Sequence, residues 1–180
     1  WFQAVTPRSG GFSTIDTGAL MTTTLLLTIF FMFIGSGTGS TGGGIKVNTF
    51  AVLIITLVNV VKGSRDVNVF KRRISHQVVV QAIAVIMLSL GVILLVTLLL
   101  TATEQATHHH FLAILFETTS AFGTVGLSMG LTPELSPAGK LIMTATMFVG
   151  RLGPLTFAFA IAFRSAENRL HYPEEKVLIG

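Results

Sequence analysis

The sequence predicts an all-α integral membrane protein built from repeated units in which a helix, a pore loop and a second helix follow one another. Hydrophobic residues make up 51% of its 180 residues and charged residues only 11%, whereas a soluble domain carries about 25% charged residues. Several apolar runs are long enough to cross a bilayer core of about 30 Å. A glycine turn also occurs twice, since Gly11 stands 24 residues before Gly35 and Gly126 stands 24 residues before Gly150.

Composition excludes several classes of function. The net charge of +4 comes from basic residues that cluster between the apolar runs, so we expect contact with membrane lipid and no nucleic-acid partner. The chain has no cysteine, which excludes disulfides and thiolate metal sites. Three consecutive histidines, residues 108–110, do not share one helix face and predict a solvated loop rather than a metal site. The sequence contains no credible catalytic set of side chains, and we do not expect an enzyme.

Residues 1–75 are the first predicted unit, which begins with a polar, glycine-rich stretch. Pro7 and the pair Gly10–Gly11 predict a turn there. Asp16 is a candidate N-cap for an apolar helix over Leu20–Ile34. The turn would therefore lie just before the first long helix of the chain.

Residues Gly35–Gly44, which we call the glycine tract, interrupt what would otherwise be one long helix. A single helix over positions 20–61 would measure about 63 Å at ~1.5 Å per residue, twice the thickness of a bilayer core. The sequence therefore predicts that the helix breaks at the glycine tract and resumes over Ile45–Val61. A basic cytoplasmic linker then ends the first unit.

Residues 76–180 are the second predicted unit. The apolar run Val78–Thr103 is long enough to cross a membrane, whereas Phe111–Ala121 is too short. Ser136 followed by Pro137 predicts a helix start, with the serine as N-cap and the proline at the first helical position. A last span is predicted over Ala138–Phe163, followed by a charged tail.

Basic residues predict the orientation, because they are enriched at the cytoplasmic ends of membrane spans. They occur between the spans in the stretch Lys62–Arg73 and after the last span at Arg164, Arg169 and Lys176. The loops 104–110 and 127–137 contain neither lysine nor arginine and are predicted to face outward. Both glycine turns then lie on the outer side of a multi-pass protein of the cell membrane.

The two glycine turns are the predicted ion-binding sites. An ion that crosses a membrane must exchange its water shell for protein oxygens, and backbone carbonyls suit potassium. Glycine readily adopts the backbone torsions that aim successive carbonyls in one direction. We therefore predict a selectivity filter, with potassium as its only metal, formed by Ser9, Gly10, Gly11, Thr124, Val125 and Gly126. The alternative is that these glycines only make tight turns in an extracellular loop.

The glycine tract is predicted to unwind and to act as a gate below the filter. Unwound backbone at membrane depth is tolerated where it lines a cavity, and this gating loop contains Gly35, Gly37, Gly39, Gly42, Gly43 and Gly44. Three of these glycines match the nucleotide-binding pattern G-x-G-x-x-G, so a membrane-embedded nucleotide-dependent enzyme is an alternative. No strand precedes the pattern, which favours the gate.

Four charged residues lie within or close to the apolar segments. Arg151 stands where the second unit matches the glycine tract, and we expect it to contact the carbonyls of the closed gate; pairing with Glu117 is the alternative. Lys46 either faces the cavity or extends to the cytoplasmic interface. Arg8 is expected to pair with an acid behind the first turn, where Glu117 is its natural counterpart.

These motifs resemble the Trk/Ktr/HKT superfamily of potassium transporters, and most closely its KtrB group. The resemblance covers essentially the whole chain. It rests on the phrases Thr6–Phe12, Gly39–Lys46, Ser120–Leu127 and Phe148–Pro154, together with the tail that ends in Leu178–Gly180. The first filter phrase of the family is usually Ser-Ala-Gly or Thr-Ala-Gly, whereas Ser9-Gly10-Gly11 stands here.

The resemblance implies a single-chain cation pore of four pseudo-symmetric repeats, of which this chain holds the last two. Residues 1–75 would contain the third filter loop, the broken inner helix and the linker, and residues 76–180 the fourth repeat and the tail. Gly11 and Gly126 would be the selectivity positions. The glycine tract would be the intramembrane gating loop, which Arg151 would steady.

The implied function is potassium uptake across the bacterial cell membrane. The family forms homodimers that sit on a cytosolic ring of nucleotide-binding regulatory subunits (KtrA-like), so nucleotide would bind only to that partner and this chain would need no cofactor. Sodium is left open as a second transported ion. An alternative is a cation channel subunit of two repeats that completes its pore by dimerisation.

Overall fold

Six α-helices account for most of the computed structural model, which describes residues 1–8, 10–63, 67–69, 72–104 and 111–153. The helices are, in chain order, α1 (Phe2–Val5), α2 (Thr22–Phe33), α3 (Val47–Val61), α4 (His76–Thr103), α5 (Phe111–Gly123) and α6 (Pro137–Leu152). Single turns of 3₁₀ helix occur at Thr17–Ala19 and Thr132–Glu134. The mainly helical architecture agrees with the predicted fold class.

The linker between α3 and α4 contains two short strands that the sequence analysis did not predict. Strand β1 (Asn68–Val69) pairs with β2 (Arg72–Arg73) in antiparallel register. Each strand has only two residues, too few for the alternation of polar and apolar side chains to predict a strand.

The predicted break of the long helix is confirmed. Helix α2 ends at Phe33 and α3 begins at Val47. Between them the chain leaves and returns at one place, because Ile34 and Ile45 form an isolated parallel bridge. The amide of Gly35 donates to the carbonyl of Ile45 at 2.8 Å, and the amide of Ile45 donates to the carbonyl of Phe33 at 3.3 Å. The glycine tract is therefore a loop closed at its neck.

The prediction that Asp16 caps the helix from Leu20 was wrong. Its carboxylate accepts a hydrogen bond from the amide of Gly18 at 2.9 Å and so caps the 3₁₀ turn Thr17–Ala19. Leu20 has extended backbone torsions, and α2 begins only at Thr22. A nearby amide satisfies the carboxylate before the long helix starts.

Helix α4 is the one helix in the described residues that is long and apolar enough to cross a membrane by length and composition. It covers the apolar run Val78–Thr103 and confirms that this run is helical. One stripe of the helix is buried against the neighbouring helices: Val79, Ala82, Ser89, Ile93, Val96, Thr97 and Leu100. Large leucines such as Leu95 and Leu98 are exposed on the remaining surface, as expected of side chains that face lipid.

Helix α5 lies at the centre of the described structure. It packs against α2, α4 and α6, and nine of its 13 residues are buried. Phe116 and Phe122 have no exposed surface at all. Phe116 joins a core with Leu25 and Met32 of α2, whereas Ile114 joins a core with Leu100 of α4. The short helix α5 is therefore enclosed by α2, α4 and α6.

The start of α6 is built as predicted. The hydroxyl of Ser136 accepts from the amide of Gly139 at 3.1 Å, and Pro137 is the first helical residue. Glu104, which is buried at the end of α4, accepts a hydrogen bond from the hydroxyl of Ser136 at 2.6 Å. A carboxylate at the end of one helix thus positions the beginning of another.

The other end of α6 differs from the prediction. The sequence predicted an uninterrupted span over Ala138–Phe163, but α6 ends at Leu152, where Gly153 adopts a left-handed conformation with φ of +87°. Glycine reaches this region without strain, so the helix stops at the position that corresponds to the glycine tract. Residues 154–163 lie outside the described part of the chain.

Gly150 gives a test of the packing between α5 and α6. A Cβ atom at this position would overlap the carbonyl oxygen of Phe122 and lie 2.7 Å from its carbonyl carbon. Because the obstacle is backbone, we expect G150A to lower the free energy of unfolding by about 1–3 kcal/mol or more. The matched control is G91A in α4, where a Cβ meets nothing within 4 Å. We expect G91A to be neutral or stabilising by up to ~1 kcal/mol. The midpoint of thermal unfolding in detergent measures both, and equal midpoints would contradict the close packing.

Candidate ion filter and glycine tract

The two glycine turns, which are 115 residues apart in sequence, lie against each other in the structure. Gly11 and Gly126 both have left-handed torsions, with φ of +66° and +90°. A Cβ atom on Gly11 would overlap the carbonyl oxygen of Val125, and one on Gly126 would lie 3.6 Å from the Cα of Gly11. Only residues without side chains permit this approach of two backbones.

Hydrogen bonds to α1 hold the first turn. The amides of Gly10 and Gly11 donate to the carbonyl of Thr6 at 3.1 and 3.4 Å. Thr6 and Pro7 are buried, whereas Gly10 is exposed. Ser9, which the sequence analysis placed in the filter, lies outside the described residues.

The second turn follows directly from the C-terminal end of α5. The amide of Thr124 donates to the carbonyl of Ala121 at 3.1 Å, and the amide of Val125 donates to the carbonyl of Ser120 at 2.9 Å. Thr124 has φ of +52°, a left-handed conformation that no other non-glycine residue of the described chain adopts. Such a conformation in a β-branched residue persists only where the surroundings enforce it. Val125 is buried, whereas Gly126 is exposed beside Gly11.

The glycine tract lies directly against this second turn. The amide of Gly43 donates to the hydroxyl Oγ1 of Thr124 at 2.8 Å. A Cβ atom on Gly43 would stand 2.8 Å from Cγ2 of Thr124 and 3.0 Å from the carbonyl oxygen of Phe122. Gly35, Gly42 and Gly44 are likewise buried, whereas the tip with Gly37 and Gly39 is exposed. The tract and the predicted filter are therefore neighbours.

Lys46 binds the carbonyls of the glycine tract. Its Nζ donates to the carbonyls of Gly42 at 2.7 Å and Ser40 at 2.9 Å, and to Oγ of Ser36 at 3.4 Å. The sequence analysis left open whether Lys46 faces the cavity or extends to the interface, and the bonds place its ammonium at the tract. The sequence feature that indicates this contact is a lysine just after a run of glycines, because the carbonyls of such a run have no helical hydrogen-bond partners.

Arg151, predicted to contact the closed gate, lies in the last turn of α6 with its side chain exposed. Within the described residues, the hydrogen bonds from a cationic side chain to the glycine tract come from Lys46. The contact with Arg151 stays a prediction.

Comparison with known proteins identifies the family. The model for the TrkH family, described as a cation transport protein, matches residues 1–170. The chain belongs to this family. The predicted resemblance is thereby confirmed, and so is the prediction that the chain is not an enzyme. The alternative of a nucleotide-dependent enzyme is set aside.

Three relatives illustrate the relationship of this TrkH-family chain. Ktr system potassium uptake protein B of Bacillus subtilis is 46% identical over 180 residues, which are 100% of this chain and 40% of that protein. Ktr system potassium uptake protein D of the same organism is 42% identical, over 99% of this chain and 39% of that protein. Potassium/sodium uptake protein NtpJ of Enterococcus hirae is 37% identical, over 100% of this chain and 41% of that protein.

The crystal structure of the potassium transporter TrkH from Vibrio parahaemolyticus shares the fold. The TM-score is 0.70 at 24% sequence identity, and the match covers 89% of this chain and 36% of that one. The chain thus spans about 40% of the length of the curated relatives it matches.

Behind the second turn of this TrkH-family chain, a buried carboxylate organises the following loop. Glu117 of α5 is 3% exposed. Its Oε1 accepts from the hydroxyl of Ser128 and from the amide of Met129 at 3.0 Å, and its Oε2 accepts from the hydroxyl of Thr132 at 2.8 Å. The expected pairing of Glu117 with Arg8 was wrong, because neutral donors of the nearby loop bind both carboxylate oxygens. The same bonds leave the alternative pairing of Glu117 with Arg151 without support.

The same residues border a cavity of about 380 Å³ between α5, α6 and the second turn. Its lining includes Glu117, Thr124, Ser128, Thr132 and Met147. The described residues contain no cluster of three or more His, Cys, Asp or Glu side chains that could hold a metal ion. The oxygens that line it include the Glu117 carboxylate, which accepts bonds from the following loop, and the hydroxyls of Thr124, Ser128 and Thr132.

Glu117 provides a test of how the loop behind the filter is held. In E117A the partly buried amide of Met129 loses its acceptor, which costs about 1–3 kcal/mol. We expect faster hydrogen exchange in residues 127–132 and a lower unfolding midpoint. E117Q is the matched control, because its amide oxygen accepts from the same amide, and we expect it to retain most of the protection. Equal exchange in E117A and the unsubstituted protein would contradict this role.

Proposed function

We propose that this chain supplies part of the ion pathway of a potassium-uptake protein in the bacterial cell membrane. The observation that carries the proposal is the close approach of the left-handed turns at Gly11 and Gly126. Two relatives that share more than 40% of its residues are named potassium uptake proteins. The family, the apolar helices and the paired glycine turns are each consistent with transport of a cation across a membrane.

The proposed filter consists of Ser9, Gly10 and Gly11 from the first turn and Thr124, Val125 and Gly126 from the second. Left-handed torsions turn the carbonyls of such segments toward one axis, where they can replace the water shell of potassium. Helix α5 ends at the second turn, and the partial negative charge of its C-terminal end favours a cation there. One relative is named a potassium/sodium uptake protein, so sodium is the second ion to test.

The glycine tract is the proposed gate. Its tip is exposed and its neck is closed by the Ile34–Ile45 bridge, so the loop can move while the helices on both sides stay in place. We propose that residues 1–75 and 76–180 are the third and fourth repeats of a four-repeat pore. In that arrangement Arg151 would face the tract from the fourth repeat and contact it in the closed state.

The partners that we propose are a second copy of the protein and a cytosolic ring of nucleotide-binding regulatory subunits. Relatives named as proteins of a "Ktr system" support a multi-component assembly. Basic side chains are exposed in the linker between α3 and α4, at Lys62 after α3 and at Arg72 and Arg73 in β2, and they would supply a basic surface for such a ring. These relatives carry the matching region as 39–40% of a longer chain, so we do not favour the alternative of a two-repeat subunit.

The filter assignment predicts a strong effect of a single methyl group. G11A would force a β carbon into the left-handed region and into the carbonyl of Val125. We expect potassium uptake by the full-length protein, measured in cells without other potassium uptake systems, to fall more than about tenfold, since a shifted carbonyl no longer fits the ion. G91A in α4, away from both turns, is expected to transport normally. Uptake by G11A at the rate of G91A would refute the filter assignment.

The gate assignment predicts the opposite effect. Deletion of Gly37–Gly43 removes the exposed tip and the contact with Thr124 but keeps both flanking helices. We expect a higher rate of potassium uptake in the full-length protein, because a flexible obstruction has been removed. An unchanged or lower rate, at equal amounts of protein in the membrane, would eliminate the glycine tract as the gate.

A further inference from the structure

One peptide unit of the glycine tract is bound at both of its polar ends. The carbonyl oxygen of Gly42 accepts from Nζ of Lys46 at 2.7 Å and from Oγ of Ser36 at 3.3 Å. The amide of Gly43, which belongs to the same planar unit, donates to Oγ1 of Thr124 at 2.8 Å. Lys46 and Thr124 therefore hold this peptide from opposite sides.

The surroundings of this peptide differ from those of the loop tip. Gly42 and Gly43 are buried, and a Cβ atom on Gly43 would be 2.9 Å from Oγ1 of Thr124. At the tip, a Cβ atom on Gly37 or Gly39 would meet nothing within 4 Å. The exposed tip has bonds of its own, from Nδ2 of Asn48 to Oγ1 of Thr38 at 2.8 Å and from Nζ of Lys46 to the carbonyl of Ser40 at 2.9 Å. The Gly42–Gly43 peptide is the buried point at which the tract is bonded to the second turn.

The two bonds have different strengths and origins. The bond from the Lys46 ammonium is charge-assisted, a class roughly twice as strong as a bond between neutral groups. The bond to Thr124 is neutral, but its acceptor belongs to the proposed filter. A peptide bond is planar, so a rotation that frees the carbonyl from Lys46 also turns the amide away from Thr124.

We infer that the Gly42–Gly43 peptide is the latch between gate and filter, with Lys46 and Thr124 as the two positioning residues that close it. This inference rests on the proposed function, because it assumes that the glycine tract obstructs the ion path. The tract leaves the path only when both bonds break. Lys46 is not part of the proposed filter, yet it limits ion flux because it holds the glycine tract in place. The hydroxyl of Thr124 links the proposed filter to the position of the glycine tract.

The test combines hydrogen exchange of residues 35–45 with potassium uptake, both in the full-length protein. K46M removes the ammonium and keeps an unbranched side chain, and T124V removes the hydroxyl at nearly constant shape. T124S keeps the acceptor. K140M is the matched control, because Nζ of Lys140 likewise binds a backbone carbonyl, that of Pro133 at 3.2 Å, but at the start of α6.

We expect exchange in residues 35–45 to accelerate roughly tenfold in K46M and in T124V, as loss of one hydrogen bond implies. T124S should exchange at the wild-type rate, and K140M should match wild type in exchange and in uptake. Because both side chains hold one peptide, the double variant K46M/T124V should exchange more slowly than the product of the single effects predicts. Potassium uptake by K46M should rise above the wild-type rate.

Three results would overturn the latch. One is exchange in K46M or T124V equal to that in K140M, and another is independent, multiplicative effects in the double variant. The third is faster exchange in K46M with uptake at or below the wild-type rate, which would show that the contact does not limit flux. Absence of potassium uptake in the wild-type protein would instead remove the proposed function, and the exchange comparison would still be readable.

Discussion

The close approach of several backbones around the end of α5 is the constraint on which the rest of the structure depends. Phe122, Gly123, Thr124 and Val125 are contacted from different sides by Gly150 of α6, Met32 of α2, Gly43 of the glycine tract and Gly11 of the first turn. At each contact a glycine removes the side chain that would keep the backbones apart. The cluster therefore fixes the spacing between the proposed filter, the proposed gate and the two helices beside them.

Buried carboxylates complete this framework. Glu104 at the end of α4 and Glu117 within α5 are both buried, and both accept hydrogen bonds from neutral donors of the α5–α6 region. An unsatisfied carboxylate would be costly in such a place, so these bonds fix the loop from Leu127 to Ser136 at its middle and at its end. The segment that follows the second turn is thus anchored at two places.

The sequence was sufficient to predict the elements that depend on local chemistry. The apolar runs gave α3, α4 and α5 to within a few residues, and Ser136 with Pro137 gave the start of α6. Long-range partners could not be predicted, because the amide of Gly43 and the hydroxyl of Thr124 are 81 positions apart. Asp16 and Glu117 found neutral donors nearby, whereas charge alone had suggested the start of a helix for one and an arginine for the other.

For the candidate site, too, the sequence predicted the local features but not the contacts between them. The two glycine turns were recognised as a pair from their repeated spacing, and the structure brings Gly11 and Gly126 together. Lys46 stood out in the sequence as a charge within an apolar stretch. The carbonyls that it binds could be identified only from the folded loop. The end of α6 at Leu152 was missed because the apolar run continues past Gly153, and a glycine within such a run is compatible both with a continuing helix and with its end.

The closed neck of the glycine tract affects the timescale on which the loop can move. Because Ile34 and Ile45 are bridged, displacement of the loop requires no bending of α2 or α3 and no repacking of their cores. Loop motions take about nanoseconds to microseconds, whereas collective helix movements take about microseconds to milliseconds. If the glycine tract is the gate, as proposed, it can move as a loop once its bonds to Lys46 and Thr124 break, without waiting for the slower movement of whole helices.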